Sequence, residues 1–105
     1  MRTNSTLAKL VHSQVKFLIV EGKSKFSDLG TRDWFLAVYQ NDLIKDRSFD
    51  YIPFAFKDRD EKDCQRLGFR TKTMSSKDLN YFKVNKDKFL LEKENELGNF
   101  YKLKK

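Results

Sequence analysis

Cysteine, histidine, proline and glycine are all scarce in this 105-residue chain, which has one Cys, one His, one Pro and four Gly. Cys64 alone closes no intramolecular disulfide, so the fold must rest on its core, and a single thiol agrees with a reducing compartment. His12 and Cys64 stand 52 residues apart and are too few for a zinc site, which takes four protein ligands or three plus water. Gly22, Gly30, Gly68 and Gly98 stand singly, as helix stops and turns, so there is no phosphate-cradling loop of the P-loop or dinucleotide type. No cofactor is implied. Long apolar runs are missing as well: "FLIV" and "WFLAVY" fall far short of a membrane span, and "MRTNSTLAKLVHSQ" lacks the continuous apolar stretch of a secretory signal. The expectation is a soluble, intracellular, cytoplasmic protein in which the Asn4-Ser5-Thr6 sequon is a chance match.

What the chain does have is aromatic bulk and charge. Ten Phe, four Tyr and Trp34 exceed what disordered chains carry, although 35% of residues are charged. The length suits one compact domain, 1–105, with no internal boundary. The formal charge of +7 is uneven, with a net +4 in residues 1–27, −2 in 28–68 and +5 in 69–105. An excess of base at both ends favours an anionic partner. Solubility alone is the competing use of such lysines.

Leu7, Leu10, Val11, Val15 and Leu18 recur at helical spacing and predict a helix over 5–20, capped by Asn4 or Ser5 and stopped by Gly22. The β-branched Val15, Ile19 and Val20 make a strand over 15–21 the rival. A second helix is expected over 31–44 from a Thr31 cap, with a buried strand over 34–39 as its alternative. After the strand-like "YIPFAF", the segment "KDRDEKDCQRLG" reads as a short charged helix running into Gly68, with Cys64 a small buried filler and His12 a helix-surface residue. From Phe69 the period becomes two, and "FRTKT", "YFKVN", "KFLLEK" and "NFYKLK" are strand candidates joined by short connections. The expected fold is α+β, with two to three helices in the first two thirds packed on a C-terminal antiparallel sheet of three to five strands.

The stretch "FLIVEGKSK" raises a catalytic question. A strand ending in Glu-x-Lys forms half of a nuclease site, but the other half needs an upstream aspartate and no Asp precedes Glu21. "LIVEG", followed 37 residues later by "AFKDRDEKD", resembles the acid pattern of toprim domains. That resemblance implies magnesium-dependent phosphoryl transfer with Glu21, Asp58 and Asp60 holding the metal. The chain departs from the family in two ways. The stretch from Gly22 to Phe56 is short for its alternating helices and strands, and the C-terminal third reads as hairpins. Read from the residues alone, Glu21 and Lys23 are exposed at a helix C-terminus, and Asp58, Asp60 and Glu61 form the acidic first turn of the next helix. On that reading the chain is not an enzyme.

The remaining signal is base interleaved with aromatics. If helices cover one face of the C-terminal sheet, the other presents Arg70, Lys72, Tyr81, Lys83 and Lys102, with Phe100 beside them. Cations hold phosphates and an exposed ring stacks on an unpaired base. The expected function is a small non-catalytic protein binding nucleic acid, single-stranded or duplex, through this face. The alternative partner is an acidic protein surface, which an interaction or inhibitor protein would engage.

Overall fold

The computed structural model describes residues 5–13, 15–22, 33–40, 61–95 and 98–104. In chain order these form α1 (Thr6–His12), β1 (Phe17–Gly22), β2 (Asp33–Tyr39), α2 (Glu61–Arg66), β3 (Phe69–Thr73) and α3 (Ser76–Val84). A 3-10 turn (Lys86–Lys88), β4 (Phe89–Asn95) and β5 (Gly98–Leu103) follow. The fold is α+β. Its five strands make one sheet in the order β3-β2-β1-β5-β4, with every neighbouring pair antiparallel.

The sheet is not confined to the C-terminal third, because its two central strands, β1 and β2, come from the first 40 residues. The helix expected over 5–20 stops at His12, and Phe17–Gly22 is a strand instead. Ser5 caps α1, its hydroxyl accepting from the Ala8 N–H at 3.1 Å. The β-branched Ile19 and Val20 then favour extended backbone, and a strand covered on both faces reads as a continuous apolar run with no period. Phe17, Leu18, Ile19 and Val20 are all buried accordingly. Gly22 therefore ends a strand, not a helix.

Of the helix expected over 31–44, the described part is the alternative strand, Asp33–Tyr39, for the same reason, and residues 31–32 and 41–44 lie outside the described residues. "WFLAVY" is apolar all round because β2 lies between β3 and β1. The strand expected at "YFKVN" is helical and belongs to α3. A capping box starts that helix: Asp78 N–H donates to Ser75 Oγ at 3.2 Å, and Ser75 N–H donates to Asp78 Oδ2 at 3.1 Å. The described part of the charged helix expected before Gly68 is α2, and Gly68 follows it with φ +100°, a conformation suited to glycine, while residues 57–60 and the strand-like "YIPFAF" lie outside the described residues.

Each sheet face carries its own core. On one, Leu18, Val20, Phe35, Ala37, Phe69 and Phe100 pack with Cys64 of α2, which is fully buried. On the other, Phe17, Ile19, Leu36 and Phe89 pack with Leu7 of α1 and Phe82 of α3. Phe82 is the hub of the second core, with ring centroids 5.4 Å from Trp34, 5.2 Å from Phe89 and 5.1 Å from Tyr101. Helices thus lie against both faces, α2 on one and α1 with α3 on the other. Among the described residues no helix is long and apolar enough to cross a membrane.

Candidate anion-binding surface

Four lysines, Lys77, Lys83, Lys86 and Lys88, lie on α3 and its 3-10 turn, residues 76–88. Within the helix, Asp78 and Phe82 turn inward, Leu79 and Tyr81 flank them, and Ser76, Lys77, Asn80, Lys83 and Val84 form the outer face. Asn85 ends the helix; its N–H and its Nδ2 both donate to Tyr81 O, at 2.9 and 3.0 Å. Lys86, Asp87 and Lys88 then follow, all exposed. Lys83 near the helix C-terminus is favoured by the helix dipole, so part of this charge also serves the helix.

The second acid of the segment does not offset the lysines outwardly. Asp78 is 1% exposed, and its Oδ1 accepts from Ser5 Oγ at 2.7 Å and from Leu7 N–H at 2.9 Å. Burial opposes its ionisation, yet the hydrogen bonds from Leu7, Ser5 and Ser75 outweigh burial and hold the carboxyl below its ordinary value. The carboxylate is therefore spent inside, joining α1 to α3. Lys77, Lys83, Lys86 and Lys88 face solvent against Asp87 alone.

The five residues expected on one sheet face are divided. Arg70 and Lys72 of β3 are exposed, and their register partners Val38 and Leu36 place them on the α1/α3 side. Lys72 Nζ donates to Thr6 Oγ1 at 3.2 Å. Lys83 lies on the outer face of α3, also on that side, but it is presented by a helix and not by a strand. Tyr81 is a half-buried helix residue packed against the second core. It offers no free platform for a base. Lys102 pairs in register with Leu18 and so belongs to the opposite, α2 side, along with the buried Phe100. There it forms an ion pair with Glu92 at 3.3 Å. Among the described residues helices lie on both sides of the sheet, and the five residues do not share one open sheet face.

Lys77, Lys86 and Lys88 were not in the expected set. The signal for Lys77 was Ser75-x-x-Asp78, a capping-box spacing that marks a helix start and turns Lys77 outward, and it does not extend to Lys86 and Lys88 in the following turn.

The acidic constellation is only partly visible. Glu21 sits at the end of β1, half-buried, with Oε1 accepting from Asn99 Nδ2 at 3.0 Å. It is not an exposed residue at a helix C-terminus, and Lys23, Asp58 and Asp60 lie outside the described residues. Among the described residues no three His, Cys, Asp or Glu side chains are grouped to hold a metal ion. The toprim-like pattern also implies parallel-sheet units, whereas every described strand pair is antiparallel. No protein-family model, curated protein or solved structure matches the chain.

Proposed function

We propose that the protein is a non-catalytic nucleic-acid-binding protein that grips phosphate through the helical layer on one side of its sheet. Lys77, Lys83, Lys86 and Lys88 supply the principal cations. Arg70 and Lys72 extend the surface from β3 on the same side. The observation that carries the reading is the run of four exposed lysines between positions 77 and 88, faced by Asp87 alone because Asp78 is turned into the core. Ammonium groups on a short helix and turn suit sequence-independent phosphate contact, which positions a protein on nucleic acid without reading bases. With Tyr81, Phe82, Trp34 and Tyr101 engaged in packing, base stacking has no part in this reading. Lys102, ion-paired on the far side, is left out of the site.

The test is a titration against single-stranded and duplex oligonucleotides at two salt concentrations, comparing the parent with Lys77→Glu/Lys83→Glu. Salt-sensitive binding that the double substitution weakens across sequences alike supports the reading. Unchanged binding in a folded variant ends it.

A further inference from the structure

The two edges of the sheet are built differently. At β4 the ladder is interrupted: a bulge falls between Leu91 and Lys93, and the extra residue, Glu92, is ion-paired with Lys102. Such an irregularity protects an edge from pairing with another strand. At β3 the register runs from Phe69 to Thr73 without a shift.

The hydrogen bonds at its two ends fix which backbone groups β3 leaves outward. Gln40 N–H donates to Gly68 O and Met74 N–H donates to Trp34 O, each at 2.8 Å. Hydrogen-bonded pairs alternate along an antiparallel ladder, so Arg70 and Lys72 also point their backbone groups at β2. The N–H and C=O groups of Phe69, Thr71 and Thr73 therefore point away from the sheet, and among the described residues they have no partner. Side chains alternate in the same phase: Phe69 and Thr71 are buried on the α2 side, while Arg70 and Lys72 are exposed on the other. Arg70 has no ion-pair partner among the described residues. Lys72 gives one donor to Thr6 and keeps two.

We infer that the β3 edge receives an extended acidic peptide segment of a partner protein as a sixth strand, with carboxylates at alternate positions opposite Arg70 and Lys72. An antiparallel strand docked here exchanges backbone hydrogen bonds with Phe69, Thr71 and Thr73. That places Arg70 and Lys72 at the closer, non-hydrogen-bonded positions, where cross-strand side chains meet at about 4.5–5.5 Å between Cβ atoms. Backbone bonds supply affinity and the two cations select charge, which is how strand addition gains specificity. The inference rests on the ladder geometry of β3 and needs none of the α3 lysines, but it claims Arg70 and Lys72, which the nucleic-acid reading uses to extend its surface.

The test uses two synthetic peptides, acetyl-Glu-Val-Glu-Val-Glu-Val-amide and its Lys-for-Glu counterpart, with amide hydrogen exchange followed residue by residue. The Glu peptide is expected to bind and to slow exchange at Phe69, Thr71 and Thr73, and the Lys peptide to bind at least about tenfold more weakly. Thr73→Pro removes an outward N–H while leaving the ladder to β2 intact, and should weaken the Glu peptide about fivefold. Arg70→Glu/Lys72→Glu should abolish the preference for the Glu peptide, and it stands as the test if the proline variant does not fold. No binding, protection elsewhere on the protein, or equal affinity for both peptides overturns the inference. Concentration-dependent protection of these three amides without peptide makes a second copy the occupant and overturns it too. Protection of them by a duplex oligonucleotide gives the edge to nucleic acid, with the same result.

Discussion

Ser5 and Asp78 are 73 positions apart, yet Ser5 Oγ donates to Asp78 Oδ1 at 2.7 Å, and both residues are buried. One carboxylate thereby serves two helix starts. It completes the capping box of α3 and accepts from the Leu7 N–H in the first turn of α1. Replacing it removes the acceptor of the Leu7 and Ser75 N–H groups and of the Ser5 hydroxyl proton. Asp78→Ala should therefore cost about 3 kcal/mol in urea unfolding, more than a surface substitution costs.

The same carboxylate sets an acid limb. Its pKa is lower folded than unfolded, so its stabilisation is complete above the unfolded value of about 4 and is lost as pH falls through the folded value. Unfolding free energy measured from pH 6 downward should fall in the parent. It should fall less in Asp78→Asn, which is weaker throughout but no longer titrates. Parallel limbs in the two proteins would assign acid sensitivity to other carboxylates.

Gly98 opens β5 where it passes β1. Its φ of +137° disfavours any side chain, and an added Cβ would lie 2.6 Å from Gly22 Cα, as well as against the Glu21 carbonyl. These obstacles are backbone atoms in a central strand and cannot rotate away. Gly98→Ala should lower stability by about 3 kcal/mol or more. Asn99→Ala, which loses only the part-buried hydrogen bond to Glu21, should cost about 1 kcal/mol. A chemical-denaturation comparison in which the two variants match would mean that β5 shifts to relieve the contact.

How far the sequence could be read depended on whether each element shows a period. β3 and β5 have one buried and one more exposed side, so alternation at "FRTKT" and "NFYKLK" marked them correctly. β1 and β2 sit in the middle of the sheet and are covered twice, which erases alternation. The helical spacing of Leu7, Leu10 and Val11 then carried the reading past His12 into Val15, which is 44% exposed and belongs to neither element.

At the candidate site Arg70, Lys72 and Lys83 were legible, whereas Lys77, Lys86 and Lys88 and the grouping of the cations were not. Alternation says which residues of one strand share a face. It does not say which face of β5 continues which face of β3, because that follows from strand order and register. The order β3-β2-β1-β5-β4 puts Lys102 on the opposite side from Arg70 and Lys72. "YFKVN" alternates as a strand would, but Ser75 and Asp78 cap it as a helix, which packs Tyr81 partly against the second core while leaving Lys83 exposed.

Tyr81 and Lys83 separate packing from charge. The Tyr81 ring is half-buried against the second core, so Tyr81→Ala should cost about 1–2 kcal/mol of stability. Lys83→Glu loses only a favourable position near the helix C-terminus, about 0.5 kcal/mol. In nucleic-acid binding the order should reverse, with Tyr81→Ala close to the parent on single strands and Lys83→Glu weakened. A large loss of single-strand affinity in a folded Tyr81→Ala would mean that the ring leaves the core to stack.

The salt dependence of binding measures how many of the lysines act. If Lys77, Lys83, Lys86 and Lys88 each neutralise one phosphate, the log–log slope of affinity against salt should be about −3.6 on duplex DNA and roughly −2.8 on a single strand. Lys77→Gln/Lys83→Gln should bring the duplex slope to about −1.8, since two phosphate contacts remain. Lys102→Gln is the decisive control, because it removes an equivalent charge from the opposite side of the sheet, where Lys102 already faces Glu92. Its slope should match the parent's. A general field effect of the net charge would lower the slope for Lys102→Gln as much as for either α3 lysine. That outcome would show nucleic acid responding to the charge of the whole protein and not to the surface formed by α3 and its 3-10 turn.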